Sequence, residues 1–127
     1  MNDVISKICL IPRNLRTEKE SNLIPLVQES GYLFNEHLVT NEKIMRYLKS
    51  HPYLIKDWLL YSENKRTSEG WYFDKEGKIW KVGYFKIDPG HDYRENESHF
   101  RSRYKACTFF IINEINELRK IALRDIL

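Results

Sequence analysis

The stretch GWYFDKEGKIWKVGYFKIDPG, Gly70 to Gly90, decides how the chain reads. Trp71 to Phe73 are aromatic, a composition that suits a strand. Asp74 to Gly77 have turn chemistry, and Gly77 stands where a positive φ is often required. Beyond the turn the residues alternate. Trp80, Val82 and Tyr84 fall on one face; Ile79, Lys81, Gly83 and Phe85 fall on the other. The two runs predict a β-hairpin, ended by Asp88-Pro89-Gly90.

Toward the C-terminus, residues 91–98 (HDYRENES) are polar apart from Tyr93 and predict an exposed loop. Ser98 is placed to cap a final helix. That helix has the strongest periodicity in the chain. Phe100, Tyr104, Cys107, Ile111, Ile115, Leu118 and Ala122 recur at spacings of three and four, and Phe110 and Ile112 widen the stripe. Its first half is therefore expected to be buried on two sides.

Toward the N-terminus, the polar segment SENKRTSEG separates the hairpin from a helical half. Pro52 suits the first position of a helix whose stripe is Leu54, Ile55, Trp58, Leu59 and Ser62. Thr40 suits the N-cap of a preceding helix that carries Glu42 in its first turn and Ile44, Tyr47 and Leu48 on one face. The short link Ser50-His51 predicts a helical corner or hairpin. Asn22 to Gly31 read as a short capped helix, with Pro25 harmless in its first turn, and residues 12–22 as a loop. Residues 4–11 are apolar apart from Ser6 and Lys7, and periodicity leaves strand and short buried helix equally open. The predicted class is α+β: a helical N-terminal part, a central antiparallel hairpin or small sheet, and a long C-terminal helix packed on it. Residues 1–127 are expected to form one domain, since domains commonly run to roughly 100–200 residues.

Composition narrows the function. The chain has 127 residues, 42% hydrophobic and 13% aromatic, which argues against disorder. Its net charge is +3, from 21 basic and 18 acidic residues. The basic residues are interleaved with acids, as in Lys75-Glu76 and Arg94-Glu95, so no concentrated stripe for nucleic acid is visible. Two cysteines, Cys9 and Cys107, are too few for a disulfide framework. The N-terminal run lacks the apolar core of a signal peptide, and no stretch approaches a membrane span. The expected location is cytoplasmic.

The chemical inventory is thin. No Gly-rich loop opens a helix, and there is no Cys-x-x-Cys or His-Glu-x-x-His. No cofactor and no metal are expected, and no catalytic residue is assigned. His91 and His99, flanking the polar run with Asp88, Asp92, Glu95 and Glu97, suggest a metal or acid–base site only weakly; a solvated loop explains them better. Cys107 lies on the apolar face of its helix, far from the N-terminus that would lower a thiol pKa, and reads as a core residue. Trp71, Tyr72, Phe73, Trp80, Tyr84 and Phe85 share one hairpin. Core comes first for these rings, a protein interface second and base stacking third.

From Thr67 to Ile115 the order is TSEGWYF, a short turn, IWKVGYF, a polar stretch, then an F-x-x-x-Y-x-x-C-x-F-F-I-I-N-E-I helix. This resembles small bacterial immunity proteins of polymorphic toxin systems, including those of contact-dependent growth inhibition. The residues that carry the resemblance are Ser68, Gly70 to Phe73, Ala106, Cys107, Phe110 and Ile111, and the upstream HPYLIKDWLLYSENKR also fits. It covers about two-thirds of the chain, and its motifs are packing motifs. The resemblance implies a protein that binds the C-terminal toxin domain of a cognate effector and blocks its active site or substrate access. Many such toxins are nucleases with basic clefts, and their inhibitors are often acidic. This chain departs from that in being slightly basic, although complementarity belongs to patches rather than to net charge.

The expected toxin-contact residues are Asp88, Asp92, Tyr93, Arg94, Glu95 and Glu97, one aromatic with a charged surround on a recognition loop. The alternative is a small nucleic-acid-binding or regulatory module using the aromatic hairpin with Arg101, Arg103 and Lys105.

Overall fold

The computed structural model describes residues 3–13, 32, 36–64, 69–88 and 91–126. The short helix read at Asn22–Gly31 lies outside them, as does most of the loop read at 12–22; residues 11–13 are helical. The element order is α1 (Asp3–Cys9), a 3₁₀ turn at Glu36–Leu38, α2 (Asn41–Ser50), α3 (Leu54–Asn64), β1 (Gly70–Glu76), β2 (Ile79–Asp88), β3 (His91–Phe100) and α4 (Arg103–Ile126). The class is α+β. The strands form one antiparallel sheet in the order β1-β2-β3. Among the described residues, no helix is long and apolar enough to cross a membrane.

The apolar N-terminal run is a helix. Ile5, Ile8 and Cys9 of α1 are buried, on a helical spacing. Thr40 caps α2 by accepting the Lys43 N–H, and Ile44 and Leu48 are fully buried beneath it. Pro52 stands in the turn that enters α3: its carbonyl accepts from Ile55 N and that of His51 from Leu54 N. Leu54, Ile55 and Trp58 then enter the core, and the Trp58 indole N–H donates to the Cys9 carbonyl at 3.0 Å, tying α3 to α1.

α4 packs on one face of the sheet, with α2 and α3 against it. Cys107, Phe110, Ile111, Ile115 and Ala122 are all fully buried. Phe110 stacks on Phe73 of β1 at 5.7 Å and meets Trp58 of α3 edge-on at 5.9 Å. A single ring thus joins the sheet, α3 and α4. Two polar contacts reinforce that junction. The Tyr61 hydroxyl donates to the buried Glu114. The Phe73 N–H, on the edge of β1, donates to Ser62 Oγ at 2.7 Å. Ser62→Ala leaves that buried N–H without its acceptor, at an expected cost of about 1–3 kcal/mol. Urea denaturation checks it: the midpoint should fall at constant m-value, and an unchanged midpoint refutes the role.

Three local expectations are corrected. β1 runs through Asp74 to Glu76, so the hairpin turns at Gly77-Lys78 instead of within Asp74–Gly77. Only Gly77 takes a positive φ, +61°, the pattern of a two-residue II′ turn that matches the strand twist. The polar run 91–98 is strand β3, not a loop. Phe100 ends that strand and does not begin the helix. Ser98 is therefore paired with Val82, and Ser102 caps α4 in its place, accepting from Lys105 N at 3.2 Å.

Candidate functional site

The alternation of β1 and β2 divides the sheet into two faces. Phe73, Val82 and Trp80 turn inward to α4, and the Tyr84 hydroxyl reaches Glu117 of α4 at 3.3 Å. Tyr72, Lys81, Gly83 and Phe85 take the outer face. The third strand does not keep step with the second. Val82 pairs with Ser98 but Tyr84 pairs with Glu95, so Asn96 and Glu97 together oppose Gly83. Asn96 has φ +55°, the left-handed residue of a β-bulge, in a position Asn tolerates better than most.

That bulge decides where the predicted contact residues go. In a regular strand Arg94 and Glu97 would fall on opposite faces, and Glu95 and Glu97 on the same one. The extra residue reverses both relations. Arg94 and Glu97 become neighbours on the outer face, 3.7 Å apart, while Glu95 opposes Tyr84 of the inner set. Asp88, Asp92 and Tyr93 sit in the strands at register positions opposite His91, Ile87 and Lys86. The expected cluster is thus split, and Arg94 and Glu97 are the pair brought together.

Around Glu97 a network forms that includes residues outside the expected set. The Tyr72 hydroxyl donates to one carboxylate oxygen, and His99 Nε2 donates to the other at 2.8 Å. The Arg94 guanidinium lies over the Tyr72 ring, 4.8 Å from its centroid. Lys81, cross-strand partner of His99, pairs with Glu76. The Tyr72 ring lies across Gly83, where no side chain stands in its way. Tyr72 is 8% exposed, yet its charged neighbours are open: the side chains of Arg94 and His99 are 46% and 56% exposed. Tyr72 was legible as outward-facing, since Trp71 and Phe73 share the opposite parity.

The electrostatics follow from the contacts. The Tyr72 hydroxyl holds the Glu97 carboxyl below its ordinary value of 4.5; the His99 hydrogen bond and the Lys81 and His99 charges add to this, against the opposing effect of burial. Burial, then the Glu97 hydrogen bond and charge, raise the Tyr72 phenol. A carboxyl depressed in the fold adds stability above its unfolded pKa and loses that contribution as pH falls through the folded value. Wild type is therefore expected to melt above Glu97→Gln at pH 7, and the gap to close as the pH drops below 4.5. A melting series from pH 7 to pH 3 checks it, and a constant gap would remove the charge from the explanation.

The other candidates are placed as follows. Cys9 and Cys107 are both buried, and burial pushes the first thiol up to about 12 and the second well above its usual value, so neither has thiolate character. Among the described residues no three His, Cys, Asp or Glu side chains gather as a metal site requires. Arg101, Arg103 and Lys105 are exposed at the start of α4, where the Arg103 guanidinium covers its neighbour Tyr104 at 4.9 Å. Of the hairpin rings that base stacking would use, Phe73 is 2% exposed and Trp80 stacks on it at 5.7 Å, while Tyr72 and Phe85 take the outer face. Comparison with protein-family models, curated proteins and solved structures yields no match.

Proposed function

We propose that this chain is an immunity protein, which binds a bacterial toxin domain and blocks its active site or its access to substrate. The observation that carries a binding role is the outer face of the sheet, where Tyr72, Arg94, Glu97 and His99 hold one another in place. Arg is among the residues that most often anchor protein interfaces, and the buried Tyr72 ring holds the exposed Arg94 guanidinium in place. Here they are already ordered on strands, so binding costs less side-chain entropy than it would for free rotamers. The face carries charges of both signs, Arg94 and Lys81 beside Glu97 and Glu76, which suits complementary pairing with another protein surface. The toxin domain as partner rests on the likeness of Thr67–Ile115 to immunity proteins. The chain acts by occupying a surface, and no residue is asked to do chemistry.

The test is coexpression with the toxin-like C-terminus of any large effector encoded immediately upstream of this chain. Cell survival together with a co-purifying complex is the expected result. Arg94→Glu with His99→Glu should then keep the fold and weaken the complex by roughly thirtyfold or more, the loss of one anchor worth about 2 kcal/mol. Neither rescue nor complex would overturn the immunity reading. Rescue with undiminished affinity in the double variant would move the interface off this face.

A further inference from the structure

We infer that a second site lies on the helical side of the molecule, between α1 and α2, and that it takes a phosphate or phosphomonoester group. A cavity of about 220 Å³ is lined by Ile5, Lys43, Arg46, Tyr47, Ser50 and His51. Five of these six come from one face of α2 and its cap, at the positions i, i+3, i+4, i+7 and i+8 counted from Lys43. Ile5 of α1, 2% exposed, contributes apolar surface. Lys43, Arg46, Tyr47 and Ser50 can each donate a hydrogen bond, and no residue of the lining is a carboxylate. Lys43 and Arg46 form no ion pair among the described residues.

The site is also partly built. His51 is stacked on Tyr47, with ring centroids 4.2 Å apart and planes at 19°, and meets Tyr53 edge-on at 6.0 Å. Its Nδ1 lies 3.0 Å from the Tyr47 carbonyl, which can only accept, so Nδ1 carries the proton and Nε2 is left for other partners. The C-terminal end of α2 opposes an anion with roughly half a unit charge. Lys43 and Arg46 bring two full positive charges, and they prevail. The size selects among anions. Pockets for drug-sized ligands run to about 300–1,000 Å³, so this one is fitted to a single phosphoryl group with a small substituent. Charge-assisted N–H···O bonds from guanidinium and ammonium suit that ligand. α4 stands between α2 and the sheet, so occupancy here does not compete for the outer face.

The test uses the full chain and two probes, sodium phosphate and glycerol monophosphate, each against sodium chloride at matched ionic strength. Calorimetric titration and thermal melting are expected to show saturable binding and a melting temperature that climbs with probe concentration. Lys43→Ala with Arg46→Ala alters surface side chains, keeps the fold, and should weaken binding at least tenfold. A response to phosphate alone assigns the site to the free anion. A tighter response to the monophosphate assigns it to a phosphomonoester. No response beyond chloride, or an equal response in the double variant, overturns the site.

Discussion

Ile111→Asp is expected to leave the chain unfolded at 25 °C. Ile111 is fully buried in α4, one turn from Cys107 and one from Ile115, both also at zero exposure. Replacing Ile by even Ala at such a position costs about 2–5 kcal/mol in lost transfer energy and cavity. Asp adds the penalty of desolvating a carboxyl with no partner. The sum reaches the whole stability of a typical domain, about 5–15 kcal/mol. Circular dichroism should show lost helix and no cooperative melt. Lys105→Asp in the same helix is the control. That position is exposed in the first turn, where a negative charge suits the helix dipole, and the variant should melt like wild type. A folded Ile111→Asp with a wild-type melting temperature would mean that this face of α4 is not in the core.

What could be read in advance divides along physical lines. The final helix and α2 were legible because their apolar residues repeat at helical spacing and bury as one stripe; Ile44 and Leu48, and Cys107, Ile111 and Ile115, behave as that pattern requires. The hairpin was legible from period-two alternation in β2. Strand β3 was not. Its inward positions include Ser98 and Glu95 in place of apolar residues, so the run carries no alternation to detect. It is an edge strand, and charged side chains on an edge discourage pairing with other chains. The bulge at Asn96 hides the strand further, because it breaks the period where Arg94, Glu95 and Glu97 lie. This is why the six expected contact residues appeared as one patch, whereas Arg94 and Glu97 share the outer face and Glu95 opposes Tyr84 of the inner set. It is also why Tyr72, remote in sequence, went unassigned to that patch, and why His99, grouped with these acids only as a metal or acid–base candidate, was not counted among the contacts. The buried Glu114 was hidden for a related reason: a single acid inside an apolar stripe looks like an interruption until the Tyr61 hydroxyl is seen to donate to it.

Gly83→Val is expected to destabilise the fold by roughly 1–3 kcal/mol, the range for overpacking a filled site. Propensity alone argues the other way. Gly weakens a strand interior and Val favours one, by up to about 1 kcal/mol. Contact decides the sign. A Cβ at Gly83 would stand 2.8 Å from Tyr72 Cζ and 3.1 Å from the Cα of Glu97. The backbone of the bulge cannot retreat without losing its pairing, so the Tyr72 ring must leave. With it go the hydrogen bond to Glu97 and the surface on which Arg94 rests. The loss of partner binding should therefore exceed the loss of stability. Removing the ring first should shrink the cost: in a Tyr72→Ala background only the 3.1 Å approach to the Glu97 Cα remains, and Gly83→Val is expected to destabilise by less than in wild type. The coupling energy of that double-mutant cycle measures how far the two residues act as one unit. A cycle that closes to within about 0.5 kcal/mol would show that Tyr72 does not depend on the missing side chain at Gly83, and the outer face would lose its reason for being ordered.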